Sequence, residues 1–275
     1  EGINRSELLK YLEELEMPSL IRKYDLVGEK DETKEVKELK IDDICNLDTN
    51  KDFAFFVETR GEVYSKSDVL GIGVYDGEKG YFISESEIDE YKDIFNSSSN
   101  KYTYDIKKNI VVLDPYKVKL DVKYDSLIAL YLLDYVVKDD ISFVAKTFDY
   151  DITLYEDFYG TEKRPKEYTV EDLRKLAIEK AKFIYETKDE ILNKIKEEEL
   201  EYLFNEIEMP LLKVLAEMEY EGVFVDREML DKYSVDLNQK VDNLMKDIWE
   251  TAGIEFNINS PKQLGEVLFE KLNLT

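Results

Sequence analysis

The stretch Asp52–Gly61, DFAFFVETRG, decides the fold of this chain. Residues 53–57 (FAFFV) form an unbroken apolar run rich in Phe and Val, which predicts a buried β-strand. The strand ends on a single acid, Glu58. Taken alone, an acid in this position is typical of the protein surface at the end of a strand.

The acid at this strand end also raises a question of function. Metal-dependent nucleases often place two carboxylates at such a strand end in the spacing D-x-E. Here Phe56 occupies the first place of that pair and Glu58 the second. The strand therefore either carries half of a former catalytic site or ends in an ordinary glutamate.

The neighbouring segments predict a sheet around this strand. VLGIGVY (69–75) and GYFIS (80–84) are short β-rich runs, and the turn residues GEKG (77–80) separate them, which predicts a three-stranded meander. SEIDEYKDIF (86–95) predicts a short helix. KYTYD (101–105) and KVKLDVKY (117–124) predict two further strands.

Helical patterns follow from Ser126 onward. The segment SLIALYLLDYV (126–136) is apolar on most faces and predicts a buried helix, and 140–148 predicts another with Asp140 as N-cap. A long helical run begins with a capping box of Thr169 and Asp172 and is interrupted by Pro210. Strands followed by helices predict an α/β or α+β domain with helices on a mixed sheet.

The last seventy residues have a different, wholly helical character. A helix over 210–221 is predicted to close on Gly222, and a longer one over 227–252 on Gly253. A third begins with Ser260 as N-cap and Pro261 at its first position.

Composition sets the outer bounds. The chain has 275 residues, 43% of them hydrophobic, enough for one large domain or two of ordinary size. No apolar run approaches the ~18 residues needed to cross a membrane. The first residue is Glu, not Met, and residues 6–22 already show helical spacing, so we expect a fragment of a longer protein.

The lack of His, the single Cys and the excess of acidic residues restrict the chemistry of this chain. The chain has no His, which excludes histidine bases and histidine metal ligands, and one Cys, Cys45, which excludes an intrachain disulfide. The lone thiol predicts a buried core cysteine and fits a reducing, cytoplasmic setting. The formal net charge of −25 predicts weak binding to DNA by this chain, because it repels phosphate on average.

The C-terminal pattern resembles a known family. MPLLKVLAEMEYEGVFVD (209–226) and AGIEFNINSPKQLGEVLFEKLNL (252–274), separated by a long helix, closely resemble the opening of the polymerase domain in family A DNA polymerases. FAFFVET, LGIGVY, GYFI and YDSLIALYLLD resemble the 3′–5′ exonuclease domain of the same family. The resemblance implies a ribonuclease H-like mixed sheet flanked by helices, followed by a helical start of the polymerase domain.

The domain organisation follows from this resemblance. Residues 1–47 would be a helix and linker after an upstream domain, residues 48–204 an exonuclease-like domain, and residues 205–275 the truncated beginning of the polymerase domain. The implied partners are DNA, the remaining polymerase domain and an N-terminal 5′ nuclease domain. Mg²⁺ is implied for the full-length polymerase, and no cofactor is expected in this fragment.

The family's nuclease chemistry implies specific positions here. Its active members cleave the 3′-terminal phosphodiester with two metal ions held by carboxylates. The D-x-E pair falls on Phe56 and Glu58, and the acid of a second motif on Asp105. The Tyr and Asp of a Tyr-x-x-x-Asp motif fall on Leu176 and Lys180. The resemblance thus implies a degenerate site in which Glu58 and Asp105 are remnants.

Two alternatives stay open at this stage. The first is a working 3′–5′ exonuclease that uses rearranged carboxylates, for which several acids are available: Asp52, Asp68, Asp114, Asp121 and Asp125. The second is a non-enzymatic module that only positions other domains. In a chain this acidic, the presence of nearby acids is weak evidence for a rebuilt site.

Overall fold

The computed structural model describes residues 8, 11–12, 39–61, 63–161 and 163–274. The chain divides into two compact units, Glu1–Ala216 and Glu217–Thr275. The predicted N-terminal helix over 6–22 and the charged connection after it lie almost entirely outside the described residues. Among the described residues, no helix combines the length and apolar character that a membrane span requires.

A five-stranded mixed sheet is the centre of the first unit. In chain order its strands are β1 (Phe53–Arg60), β2 (Asp68–Tyr75), β3 (Gly80–Ser84), β4 (Lys101–Thr103) and β5 (Tyr124–Asp125). They lie in the spatial order β3-β2-β1-β4-β5, with antiparallel pairs among β1, β2 and β3 and parallel pairs among β1, β4 and β5. The predicted fold class, a ribonuclease H-like mixed sheet flanked by helices, is confirmed.

Strand β1 is buried along its length except at Arg60. The run of apolar side chains explains this, because a central strand of a sheet covered on both faces is in contact with the core on both sides. The register between β1 and β2 shifts between Glu58 and Thr59, which is a β-bulge. Bulges redirect side chains at the ends of strands, and this one lies directly beside the acid.

Among the described residues from 39 to 208, six α-helices and a small hairpin accompany the sheet. The helices are α1 (Ile88–Tyr91), α2 (Ile106–Leu113), α3 (Ser126–Leu132), α4 (Ile141–Ala145), α5 (Tyr155–Tyr159) and α6 (Val170–Glu197). The hairpin pairs β6 (Gly160–Thr161) with β7 (Arg164–Pro165). Short 3₁₀ turns lie at Ile44–Asn46, Tyr64–Lys66, Glu85–Glu87, Lys92–Asn96, Asp114–Tyr116 and Lys146–Phe148.

Helix α6 packs across β1 and β2, and its position depends on one glycine. A Cβ at Gly73 of β2 would overlap the backbone of Ala177 in α6. The predicted capping box is present, since Thr169 accepts from the backbone N–H of Asp172 and Asp172 accepts from that of Thr169. Asp140 likewise caps α4 by accepting from the backbone N–H of Ser142.

The helices of the C-terminal part begin and end where the sequence predicts. They are α7 (Met209–Glu221), α8 (Arg227–Ala252) and α9 (Pro261–Gly265), with π-helical turns at Leu203–Glu208 and Glu266–Lys271. Gly222 and Gly253 follow α7 and α8 in the left-handed conformation, each with φ of 67°. Ser260 caps α9 by accepting from the backbone N–H of Gln263.

Some element predictions are wrong. KVKLDVKY (117–124) alternates in burial, but only Tyr124, together with Asp125, pairs as a strand, because the neighbouring β4 is three residues long. The helix predicted over 126–136 ends at Leu132, and Tyr131 on it is 64% exposed. Pro210 does not interrupt the long helical run, since it lies in the first turn of α7, where its missing N–H is tolerated.

The position at which the long helix ends and the exposure of Cys45 also differ from the sequence predictions. Helix α6 ends at Glu197, and Glu199 has a left-handed φ of 58°. Cys45 is exposed, not a core thiol. It lies in a 3₁₀ turn whose only buried residue is Ile44, so the turn directs Ile44 into the core and the cysteine outward.

Candidate functional site

A cleft of about 670 Å³ opens at the carboxyl ends of β1 and β4. These two strands are parallel, so their carboxyl ends meet at the same edge of the sheet, where α/β proteins commonly place their sites. The residues that line the cleft come from β1 and from the helices and loops around it: Phe56, Glu58, Thr59, Gly61, Tyr64, Asp105, Lys108, Lys138, Asp139, Asp140, Phe143, Leu154, Tyr155, Glu156 and Lys180.

Glu58 lies at the base of the cleft and is 1% exposed. The interpretation of this residue as a surface acid is therefore wrong, because the β-bulge and the covering helix α6 enclose it. Its Oε1 accepts from the Lys180 Nζ at 2.6 Å, and its Oε2 accepts from the Tyr159 hydroxyl at 3.0 Å. Each carboxylate oxygen thus has its own donor, as a buried charge requires.

Lys180 is buried equally deeply, and its ammonium lies 4.7 Å from the centre of the Phe56 ring. A ring face attracts a cation through its quadrupole, so the aromatic residue in the D-x-E position is a favourable neighbour for this lysine. The half-buried Lys108 places a second ammonium 5.7 Å from the same ring. Burial lowers the pKa of Lys108, and the nearby Glu58 opposes that shift.

Burial and the Glu58 carboxylate also affect the tyrosine. Burial raises the pKa of Tyr159 far above its usual range, and the negative charge of Glu58 raises it further. Tyr159 is therefore protonated and donates its hydrogen bond to Glu58. The lysine, the glutamate and the tyrosine come from α6, β1 and α5, and their contacts join these three elements.

Asp105 lines the cleft and has a left-handed conformation with φ of 59° and ψ of 70°. It caps α2 by accepting from the backbone N–H of Lys108 at 3.0 Å. Burial raises the pKa of Asp105, while that backbone donor opposes the shift. The structure thus brings both predicted remnants, Glu58 and Asp105, into one cleft.

The other sequence-predicted positions divide into two groups. Lys180 reaches the cleft, but Leu176, one turn earlier on α6, is a buried core residue and is not part of the cleft lining. Among the described residues that line the cleft, none belongs to the alternative set of acids named for a rearranged site: Asp52, Asp68, Asp114, Asp121 and Asp125.

Sequence reasoning missed several residues that line the cleft or contact Glu58. Tyr159 is 101 residues away from Glu58 along the chain, and no motif marks it. Asp139, Asp140 and Glu156 line the cleft. The sequence identifies Asp140 only as a helix cap, but its carboxylate also accepts from the backbone N–H of Tyr155. No sequence pattern distinguishes these acids from the many other Asp and Glu residues of this chain.

The residues present do not fit a two-metal nuclease site. Mg²⁺ requires a cage of oxygen ligands, whereas Glu58 here is bonded to an ammonium and Phe56 provides no ligand at all. Within the described ranges, no group of three or more Asp, Glu, His or Cys side chains is arranged to hold a metal ion. In this arrangement the Glu58 carboxylate is paired with the Lys180 ammonium.

Comparison with known proteins gives the family. A model described as DNA polymerase I, ribonuclease H-like domain, matches residues 55–187, and one described as DNA polymerase family A matches residues 227–275. DNA polymerase I of Lactococcus lactis subsp. cremoris is 32% identical over 249 residues, covering 89% of this chain and 28% of that protein. That of Bacillus subtilis is 28% identical over 285 residues, covering 100% of this chain and 32% of that protein.

A solved structure agrees at the level of the fold. The POL domain of Pol1 from M. smegmatis, in complex with DNA primer-template and dNTP, superposes with a TM-score of 0.67 at 18% identity. The match covers 82% of this chain and 38% of that chain. The chain spans about a third or less of the length of the polymerases from L. lactis and B. subtilis. On the two family models and the polymerase relatives together, the chain belongs to the bacterial DNA polymerase I family, the family A DNA polymerases.

Proposed function

We propose that this chain is part of a DNA polymerase I that acts in DNA replication and repair. In this proposal residues 48–204 are an exonuclease-like domain that has lost catalysis and serves as a scaffold, and residues 205–275 begin the polymerase domain. Mg²⁺ and DNA are proposed as cofactor and partner of the complete polymerase. No polymerase or exonuclease activity is expected of this chain by itself.

The ion pair between Lys180 and Glu58 is the observation that carries the proposal. Metal-assisted hydrolysis needs carboxylates free to bind cations and a metal that activates water. The remaining β1 carboxylate is already paired with a buried ammonium at 2.6 Å. A divalent ion that also contacted Glu58 would be repelled by that ammonium by several kcal/mol at an effective dielectric constant of about 20.

The second remnant does not compensate for this loss. Asp105 accepts the backbone N–H of Lys108 as a helix cap, and the Lys108 ammonium lies near the Phe56 ring. The cleft therefore has two ammonium groups around the position where the family's first acid would be. This arrangement supports a structural role for the domain.

Degradation of a 5′-labelled single strand with Mg²⁺ or Mn²⁺ tests the proposal. We expect no 3′ trimming by the wild-type chain, and none or a trace by Phe56→Asp, which rebuilds only the D-x-E pair. Phe56→Asp combined with Leu176→Tyr and Lys180→Asp places the motif side chains at all the positions that the resemblance implies, although Leu176 lies in the core, and any activity is expected in this variant alone. Metal-dependent trimming by the wild-type chain that is abolished by Glu58→Ala would instead support the alternative, an active exonuclease with rearranged carboxylates.

A further inference from the structure

Four residues at the base of the cleft form a closed set of contacts. Lys180 Nζ donates to Glu58 Oε1, the Tyr159 hydroxyl donates to Glu58 Oε2, and the Phe56 ring lies 4.7 Å from the ammonium. The side chains of Lys180 and Glu58 are each 2% exposed. One buried negative charge is thus matched by one buried positive charge, and the pair is neutral.

Phe56 and Lys180, which stand where the family has acids, are compatible with this site only as a combination. An aspartate at position 56 would accept from a cation, whereas Phe56 offers only its ring face, which suits an ammonium. A lysine at position 180 without Glu58 would be a buried charge without a partner. Phe56 therefore complements Lys180, and Lys180 complements Glu58.

We propose that the Lys180 ammonium is a built-in cation that takes the place of a divalent metal ion at Glu58. The ammonium balances the negative charge of Glu58 without a metal ion. When the ammonium is removed, divalent ions can bind to Glu58. The inference rests on the proposal that the cleft is a former nuclease site. It goes further, because loss of acids alone would leave Glu58 either unpaired or weakly metal-bound.

This assignment differs from an ordinary buried salt bridge in its consequence. If the ion pair is only a cross-link, removal of the lysine destabilises the protein and no ion restores it. If the ammonium occupies the place of a cation, the vacated position beside Glu58 and Tyr159 faces a cleft of about 670 Å³ that ions can enter. A divalent ion then binds the folded state and stabilises it by mass action.

Thermal unfolding with and without Mn²⁺ tests the inference on the chain as it exists. The variants are Lys180→Met, which removes the charge at similar volume, and Lys180→Gln, which keeps a donor for Glu58. We expect the Tm of the wild-type chain to be the same in Mn²⁺ and in EDTA. Both variants are expected to unfold at lower temperature than the wild type in EDTA, and their Tm is expected to rise by several degrees in a manner that grows with the logarithm of the Mn²⁺ concentration.

Two controls separate this effect from general destabilisation. Lys188→Met removes another buried lysine of α6, whose ammonium lies 4.2 Å from the Tyr185 ring, and should give no response to Mn²⁺. Glu58→Gln combined with Lys180→Met removes both charges and should abolish the response while recovering stability relative to Lys180→Met.

The outcomes are decisive even for a variant that does not fold in EDTA. In that case Mn²⁺ is expected to restore cooperative unfolding and native circular dichroism. A wild-type chain stabilised by Mn²⁺, or Lys180 variants that gain nothing from it, would overturn the inference. Because these readouts do not involve cleavage, they are independent of the nuclease assay that tests the proposed function.

Discussion

The side chain of Asp125 holds the backbone of Asp105 in its left-handed conformation. Asp125 Oδ1 accepts from the Asp105 N–H at 3.0 Å, and Oδ2 accepts from the Ile106 N–H at 2.6 Å. Asp125 also caps α3 by accepting from the Leu127 N–H at 2.9 Å. One buried carboxylate thus fixes the direction in which Asp105 faces the cleft.

At pH 4, Asp125→Asn is expected to lower the free energy of unfolding by about 1–3 kcal/mol, since the amide nitrogen would face a backbone donor that needs an acceptor. Burial raises the pKa of Asp125 to about 7, against the three backbone donors that favour its ionised form. In the unfolded chain an aspartate has a pKa near 3.9. The folded state therefore holds this proton more tightly, and the contribution of Asp125 to stability falls as pH rises from about 4 to about 7.

Urea unfolding of both chains between pH 4 and pH 8 measures this effect. The stability advantage of the wild type over Asp125→Asn should be largest near pH 4, decline towards pH 7 and stay constant above it. Asp121→Asn, at an exposed neighbouring acid, is the control and should change neither the stability nor its pH dependence by more than about 0.5 kcal/mol. An advantage that grows with pH would contradict the raised pKa.

Gly73→Ala is expected to destabilise the first unit by about 3 kcal/mol or more. The new Cβ would overlap the backbone of Ala177 on α6, and neither the strand nor the helix can move without separating the layers that enclose Glu58. Denaturant unfolding followed by circular dichroism measures the loss. Gly265→Ala is the matched control, because a Cβ there has its nearest neighbour at 4.0 Å on a helical backbone, and it should be neutral or stabilising by up to about 1 kcal/mol.

The isolated chain is expected to bind single-stranded and duplex DNA weakly. With a formal charge of −25 it repels phosphate on average, and even the cleft has more acids than lysines in its lining. A gel-shift titration at physiological salt should give no submicromolar complex. Lowering the salt should strengthen binding only slightly, since the 63 acidic residues outnumber the 38 basic residues that could displace counterions from DNA. Submicromolar affinity would imply a focused basic groove and contradict this expectation.

The parts of the fold that can be predicted from the sequence are those whose sequence signals act between residues close together in the chain. Strand β1 and the caps of α6, α8 and α9 were predictable, because apolar periodicity and capping residues act within a few positions. The break after α6 was not, because Glu199 adopts a left-handed conformation without being glycine or asparagine. Pro210 was misread because a proline in the first turn of a helix looks the same in sequence as one that ends a helix.

The site shows the same division. The positions of Glu58 and Asp105 followed from the resemblance of short motifs. The burial of Glu58 did not, because it depends on a bulge in β1 and on Tyr159 and Lys180, which come from elements more than a hundred residues away. No local pattern reports that a lysine on one helix will meet a glutamate on a distant strand.

Cys45 is expected to react with a thiol reagent such as Ellman's reagent in the native protein, one thiol per chain. It is exposed in the turn Ile44–Asn46, contrary to the expectation of a core cysteine from the sequence. The hydrogen bond and the negative charge of Asp43 raise the pKa of this thiol, so it should react more slowly at pH 7.5 than the same cysteine in the denatured chain.

Asp43→Asn keeps an acceptor for the backbone N–H of Cys45 and removes the charge, and it should therefore speed the native reaction without changing the reaction of the denatured chain. Absence of reaction until denaturant is added would mean that the thiol is enclosed, and an unchanged rate in Asp43→Asn would remove Asp43 as the cause of its slow reaction.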